Sequence, residues 1–250
     1  MFFGKDKKNY ARRYAHEYHL LRALFQGFAV YIMSGPFFKI VYQLKVEGRE
    51  NIPKSSKVIF AGNHISMFDP LFVSYATAKP TVYMAKKELF DDDCNLSWWI
   101  KRLGAFSVDR KKPEIATFKT VKEVFKTTWS MGIFPQGGIK ENKKIENIHK
   151  GFAVIAKNAK ADIIPVAISG FEGYTRQPFS QNVVVKIGKP ISHELSCEEI
   201  IAQWAEQICE YTGFENCMSR EEIQRQKEIE DAAEAKETTD KKEAEKQPSV

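Results

Sequence analysis

The chain has 250 residues, 43% of them hydrophobic and 28% charged, with a formal net charge of +6. That length fits one sizeable domain with appendages, and that apolar share is enough to bury a core. Four cysteines (Cys94, Cys197, Cys209, Cys217) show no C-x-x-C and no metal-like spacing with histidine. They exclude a disulfide framework in a chain this large and read as reduced thiols facing cytosol. The charge is split: residues 219–250 hold seven basic against ten acidic side chains, and residues 1–218 hold 31 against 22. The positive part suits an anionic partner, whether phospholipid headgroups, nucleic acid or a phosphorylated substrate, and composition does not choose among them.

The chain opens MFFGKDKKNYARR with no cleavable signal pattern. Residues 20–44 are rich in aromatic and aliphatic side chains, but the longest charge-free stretch, Ala23–Phe38, has 16 residues and contains Gly35-Pro36. A spanning helix needs about 20 apolar residues, and Gly-Pro breaks or kinks a helix. Two short helices lying in a membrane interface are therefore expected, with a buried core helix or a tilted span as the alternatives. Lys5, Lys7, Lys8, Arg12, Arg13 and Arg22 outnumber Asp6 and Glu17, giving the basic flank that suits an anionic cytoplasmic leaflet.

Beyond the arm, short apolar β-branched runs predict strands near 43–47, 58–62, 81–85, 105–108, 132–134, 163–168 and 183–187. Helical patterns fall at 70–78, 96–103, 114–129, 149–160 and 197–212. Such alternation predicts an α/β layered fold, a largely parallel central sheet flanked by helices, with ligand sites at the carboxyl ends of the strands. The expected organisation is a basic and apolar membrane-binding helical arm over 1–42, a main domain over 43–218, and a charged tail over 219–250. That tail lacks aromatics and nearly all large aliphatics, so it reads as disordered or a frayed solvated helix.

The strand VIFAG is followed by Asn63-His64-Ile65-Ser66-Met67-Phe68-Asp69-Pro70. Five residues along one helix would place His64 and Asp69 some 140° apart. If the helix instead starts at Asp69-Pro70, the turn before it can fold the imidazole back onto the carboxylate. A pair of this kind makes a general base, the carboxylate fixing the tautomer and stabilising the imidazolium. No G-x-S-x-G elbow accompanies it, so the base would act directly on a substrate hydroxyl. The plainer alternative is Asp69 as a helix cap and His64 as a satisfied loop residue.

These residues resemble the 1-acyl-glycerol-3-phosphate acyltransferases, whose signature N-H-x-S-x-x-D is matched by Asn63 to Asp69. Further blocks follow in family order: Lys86-Lys87-Glu88-Leu89, Gly104 to Arg110, Phe134-Pro135-Gln136-Gly137, Lys150-Gly151 and Ile164 to Ile168. The similarity spans roughly residues 40–190. It implies that His64 deprotonates the free hydroxyl of a lysophosphatidic acid, which attacks an acyl thioester, while Asp69 orients the histidine. It also implies that Arg110 and Lys86 or Lys87 hold the acceptor phosphate, chemistry that guanidinium and ammonium groups suit. Backbone N–H groups at Gly137 and Gly138 are candidates for the developing oxyanion.

The third block departs from the family's F-P-E-G-T-R-S: glutamate is replaced by Gln136, and Ile139 stands at the arginine position with Lys140 one place along. Either Arg110 and Lys140 carry the phosphate, or the acceptor is another lysolipid or an amine. The donor expected is an acyl carrier protein or coenzyme A thioester, with no cofactor and no metal. His16 and His19, three apart, lack a third ligand nearby and read as a solvated or headgroup-facing pair. Trp98, Trp99, Phe90 and Phe106 read as core, channel or interface aromatics, and His149 as the start of a helix. The expected location is the cytoplasmic face of a phospholipid membrane, bound peripherally. A non-catalytic lipid-binding homologue and a nucleic-acid binder are the competing classes, the latter without any recognisable motif.

Overall fold

The computed structural model describes residues 10–54, 57–91, 95–108, 115–173, 179 and 181–218, with five positions between 221 and 228. Arg110, Cys94 and most of the charged tail lie outside the described residues.

Seven strands form one sheet, and the apolar runs seen in the sequence account for all of them. They are β1 (Lys45–Glu47), β2 (Val58–Gly62), β3 (Thr81–Lys86), β4 (Phe106–Val108), β5 (Ser130–Ile133), β7 (Asp162–Ser169) and β8 (Val184–Ile187). Their order is β1-β8-β7-β2-β5-β3-β4. Every pairing is parallel except β7 with β8. A separate parallel pair, β6 (Lys144–Ile145) with β9 (Glu215–Asn216), was not expected from the sequence.

Because β2 alternates, Ile59 and Ala61 face one core while Val58 and Phe60 face another. The first core is covered by α5 (Ile115–Val124), α6 (Gly151–Ala159) and α7 (Cys197–Thr212). The second is covered by α2 (Asp69–Thr77) and the end of the N-terminal helix. Burial on both faces explains why the central strands read as continuous apolar runs. Two short helices, α3 (Glu88–Asp91) and α4 (Asn95–Arg102), bridge β3 to β4.

The N-terminal arm corrects the sequence expectation of two helices parted at Gly35-Pro36. Residues Leu20–Val41 form one continuous helix, α1, wound as a π-helix from Phe28 to Ser34. The looser winding opens the backbone just where the Pro36 ring would collide with the preceding turn. Ser34 Oγ helps by donating to the Ala29 and Val30 carbonyls at 2.9 and 3.0 Å. One side of α1 buries Gln26, Ala29, Val30 and Phe38 against the domain. The Gln26 amide is paired with both the N–H and the carbonyl of Thr81 and also donates to Leu103 O. The other side exposes Leu20, Leu21, Leu24, Phe28, Ile32, Met33, Phe37 and Ile40. Trp98 and Trp99 pack on this helix through Phe25, ring centroids 6.3 and 5.9 Å away. Phe90 and Phe106 are buried. His19 caps α1, its Nδ1 accepting from Arg22 N–H, and His16 stacks with Tyr14.

Candidate active site

β2, β5 and β3 run parallel, so the segments leaving them emerge along one edge of the sheet. The first is the histidine turn. Asn63 is fully buried, and its amide pairs with both the N–H and the carbonyl of Ile168 on β7 at 2.8 Å. This side chain extends the β2–β7 ladder by one step and fixes where the turn begins.

His64 Nδ1 lies 2.8 Å from Asp69 Oδ2, with the His64 side chain 15% exposed and the Asp69 side chain fully buried. The same carboxylate oxygen accepts the N–H groups of Ile65 and Ser66 at 2.7 and 2.8 Å. Ser66 Oγ accepts from Phe68 N–H, closing the turn. Asp69 is thus not the helix cap the sequence allowed: α2 begins at Asp69 and its cap position is Phe68. The carboxylate faces back into the turn instead of forward along the helix. Burial pushes the Asp69 carboxyl above the usual aspartate range, against the lowering effect of the three hydrogen bonds. With Nδ1 engaged by Asp69, Nε2 is the ring nitrogen that this pair leaves unused.

A second element, the segment after β5, closes on the histidine from the other side. His64 N–H donates to Gln136 Oε1 at 3.3 Å, and Lys140 N–H donates to the His64 carbonyl at 2.7 Å. Phe134 stacks on the imidazole with centroids 4.3 Å apart and planes 20° from parallel. Tyr83 stacks behind Phe134, and its hydroxyl is 3.0 Å from Ser74 Oγ on α2. Only glycine fits opposite that tyrosine, since a Cβ on Gly132 would lie 2.2 Å from its ring.

Gly137 sits at φ +68°, where a Cβ would also strike the His149 ring at 2.8 Å. His149 therefore packs over this loop, its N–H bonded to Pro135 O, and α6 starts two residues later. The Gly137 N–H donates to Phe134 O at 2.9 Å and is not available to an oxyanion. The Gly138 N–H has no acceptor among the described residues.

At the end of β3, Lys86 pairs with Val108 of β4, and Lys87 N–H donates to the Val108 carbonyl. Both lysine side chains are exposed. Of the residues singled out from sequence, the structure brings His64, Asp69, Gly137, Gly138 and Lys140 together and places Lys86 and Lys87 two strands away on the same edge. Sequence reasoning missed the supporting roles of Asn63, Phe134, Tyr83 and Gln136. Asn63, Phe134 and Gln136 were visible as motif letters, but their partners are far off in the chain.

The fold and this pair define an α/β protein carrying a histidine–aspartate dyad at the carboxyl edge of its sheet. Residues 43–169 match the family model described as Acyltransferase, and the chain belongs to that family. It is 32% identical over 145 residues to the 1-acyl-sn-glycerol-3-phosphate acyltransferase of Streptococcus pneumoniae, covering 57% of this chain and 53% of the relative. It is 31% identical over 128 residues to the Bacillus subtilis protein of the same name, covering 51% of this chain and 63% of that one. The match thus spans little more than half the length of these relatives. The fold is shared with the crystal structure of the 1-acyl-sn-glycerophosphate acyltransferase from Thermotoga maritima. That match has a TM-score of 0.55 and 21% identity, and covers 78% of this chain and 90% of that one.

Proposed function

We propose that the protein transfers a fatty acyl group from a thioester to the free hydroxyl of 1-acyl-glycerol-3-phosphate, forming phosphatidic acid. The observation that carries this reading is the 2.8 Å contact between His64 and a fully buried Asp69, in a chain of the acyltransferase family. His64 Nε2 takes the proton of the acceptor hydroxyl as its oxygen attacks the thioester carbonyl carbon. The carbonyl π-bond becomes an oxyanion, for which the Gly138 N–H is the candidate donor. The tetrahedral species collapses, the C–S bond breaks, and the imidazolium returns its proton to the departing sulfur. Asp69 keeps the imidazole in the productive tautomer and offsets its transient charge.

Lys86, Lys87, Lys140 and Arg110 are assigned to the acceptor phosphate. Lysine gives that phosphate a point charge where a guanidinium would grip it with two bonds. The donor is acyl carrier protein or coenzyme A thioester, both anionic, which suits the basic body of the chain.

The protein is assigned to the cytoplasmic face of a membrane, with α1 lying flat as a monotopic anchor within the arm 1–42, the acyltransferase domain over 43–218 and the charged tail over 219–250. Support for a flat helix comes from its docking on the domain between Gln26 and Phe38. Spanning would strip the three Gln26 hydrogen bonds. Phe37 also packs against Phe68 of the histidine turn, 6.4 Å between centroids, so the exposed apolar face runs up to the site.

Acyl transfer to lysophosphatidic acid, measured with both donors for wild type beside His64→Ala, tests the reaction. Product from wild type alone supports it; product with other lysolipids or amines only would move the acceptor. For the anchor, Leu24→Glu with Ile32→Glu should abolish cosedimentation with anionic vesicles while the thermal midpoint stays within a few degrees. Unchanged cosedimentation would remove the flat-helix assignment.

A further inference from the structure

We infer that Gln136 is a positioning residue for His64, and that the site requires its amide rather than merely its bulk. This inference rests on the acyl-transfer reading above. The side chain is buried, and both ends of the amide are used. Oε1 accepts the His64 N–H at 3.3 Å, while Nε2 donates to the Lys144 carbonyl at 3.1 Å. A primary amide supplies an acceptor and a donor at one terminus, whereas a carboxylate supplies acceptors only. With glutamate here, the His64 N–H would keep its acceptor but an anionic oxygen would face the Lys144 carbonyl.

The far end of the clamp is itself held. Lys144 belongs to β6, which is pinned by β9 through Glu215 N–H to Lys143 O at 3.1 Å and Cys217 N–H to Ile145 O at 3.0 Å. The Lys144–Glu215 ion pair at 2.8 Å adds to the pairing. A continuous run of hydrogen bonds therefore leads from a strand beyond residue 169, where the family match ends, to the main chain of the histidine. On the other side of His64 its carbonyl is held by Lys140 N–H. Gln136 is the link that ties the histidine's N–H to this second sheet, and it sets where the imidazole stands relative to the acceptor hydroxyl. Misplacing a catalytic group by about 1 Å costs on the order of 10²-fold in rate.

The test compares Gln136→Glu, which keeps shape, and Gln136→Met, which removes both hydrogen bonds, with wild type in two measurements. The first is steady-state acyl transfer. The expected result is kcat lowered about 10- to 100-fold with KM for donor and acceptor changed less than about twofold. The second is native-state amide exchange. His64 N–H should exchange about tenfold faster or more in Gln136→Met, which takes away its acceptor, while Ile59 and Ala61 of β2 keep their protection. Retained kcat in either variant, or unchanged His64 exchange in Gln136→Met, overturns the inference. So does a loss of protection across β2 that accounts for the fall in kcat, because the role would then be structural. Absence of turnover in the wild type with every acceptor would sink the acyl-transfer reading instead, and the exchange measurement would still decide whether the clamp exists.

Discussion

His64 meets Asp69 at 2.8 Å, and His193 meets Asp162 at 2.7 Å. The two pairs stand at opposite edges of one sheet, since Asp162 begins β7 level with Val58 at the start of the parallel β2. Their lengths are almost equal and their surroundings are not. Asp69 is fully buried and His64 is 15% exposed, whereas Asp162 and His193 are 43% and 25% exposed. Asp162 also takes the N–H of its own histidine, which makes the pair a staple across the loop that leads into α7. Contacts of that kind contribute on the order of 0–1 kcal/mol, less in salt. The Asp69 carboxylate instead gathers a ring and two backbone N–H groups inside a closed turn, and the histidine is clamped at both main-chain groups by the segment after β5. The difference teaches that nitrogen–oxygen distance alone does not mark a general base. Burial of the carboxylate, a fixed main chain and a place at the carboxyl edge set the proposed general base apart from the staple.

The comparison is most easily broken by exchanging the histidines. His64→Ala should lower kcat/KM by about 10²–10⁴-fold, read as product formed per unit enzyme; a smaller loss would put the base elsewhere. Asp69→Asn should cost about 10²-fold or more, because the amide cannot hold the same tautomer or offset the imidazolium.

The same variant sharpens the contrast in stability. Burial raises the Asp69 carboxyl above the ordinary 3.8, so the folded state binds that proton more tightly than the unfolded chain. The contribution is therefore fully present below the ordinary value and is lost as pH rises through the raised one. The thermal midpoint of wild type should gain on that of Asp69→Asn as pH is lowered from neutral towards 4, a trend that calorimetry at stepped pH would reveal or refute. At the middle of the scale, Lys140→Gln should raise KM for lysophosphatidic acid about five- to tenfold with little change in kcat. No change would free Lys140 from phosphate binding. Smallest of all, His193→Ala should leave activity within about twofold of wild type; a large loss there would erase the distinction between the two pairs.

Much of this architecture was legible beforehand. The runs VIFAG and IIPVAI announce central strands because burial on both faces leaves no polar alternation. Asp69-Pro70 announces the start of α2, since proline tolerates the first helical turn. Other features left no local trace. β6 and β9 have two residues each and no periodicity to detect. Gly35-Pro36 reads as a helix breaker, yet tertiary packing keeps α1 continuous by winding one stretch as a π-helix. Gln136 reads as a departure from a motif, and its two partners appear only after folding.

The sequence by itself determined the strand and helix order, the apolar arm and the spacing that lets His64 turn back to Asp69. Each of these is carried by residues within about a dozen positions of one another, where propensity and periodicity act. Only the tertiary structure decided that α1 stays whole and docked, that Gly137 spends its N–H in a turn, and that Gln136 holds a histidine 72 residues away. It also decided that Asn63 joins a strand 105 residues away. The physical reason is that a buried hydrogen-bonding group must find a partner wherever the packed chain brings one, and residue order does not say where that is.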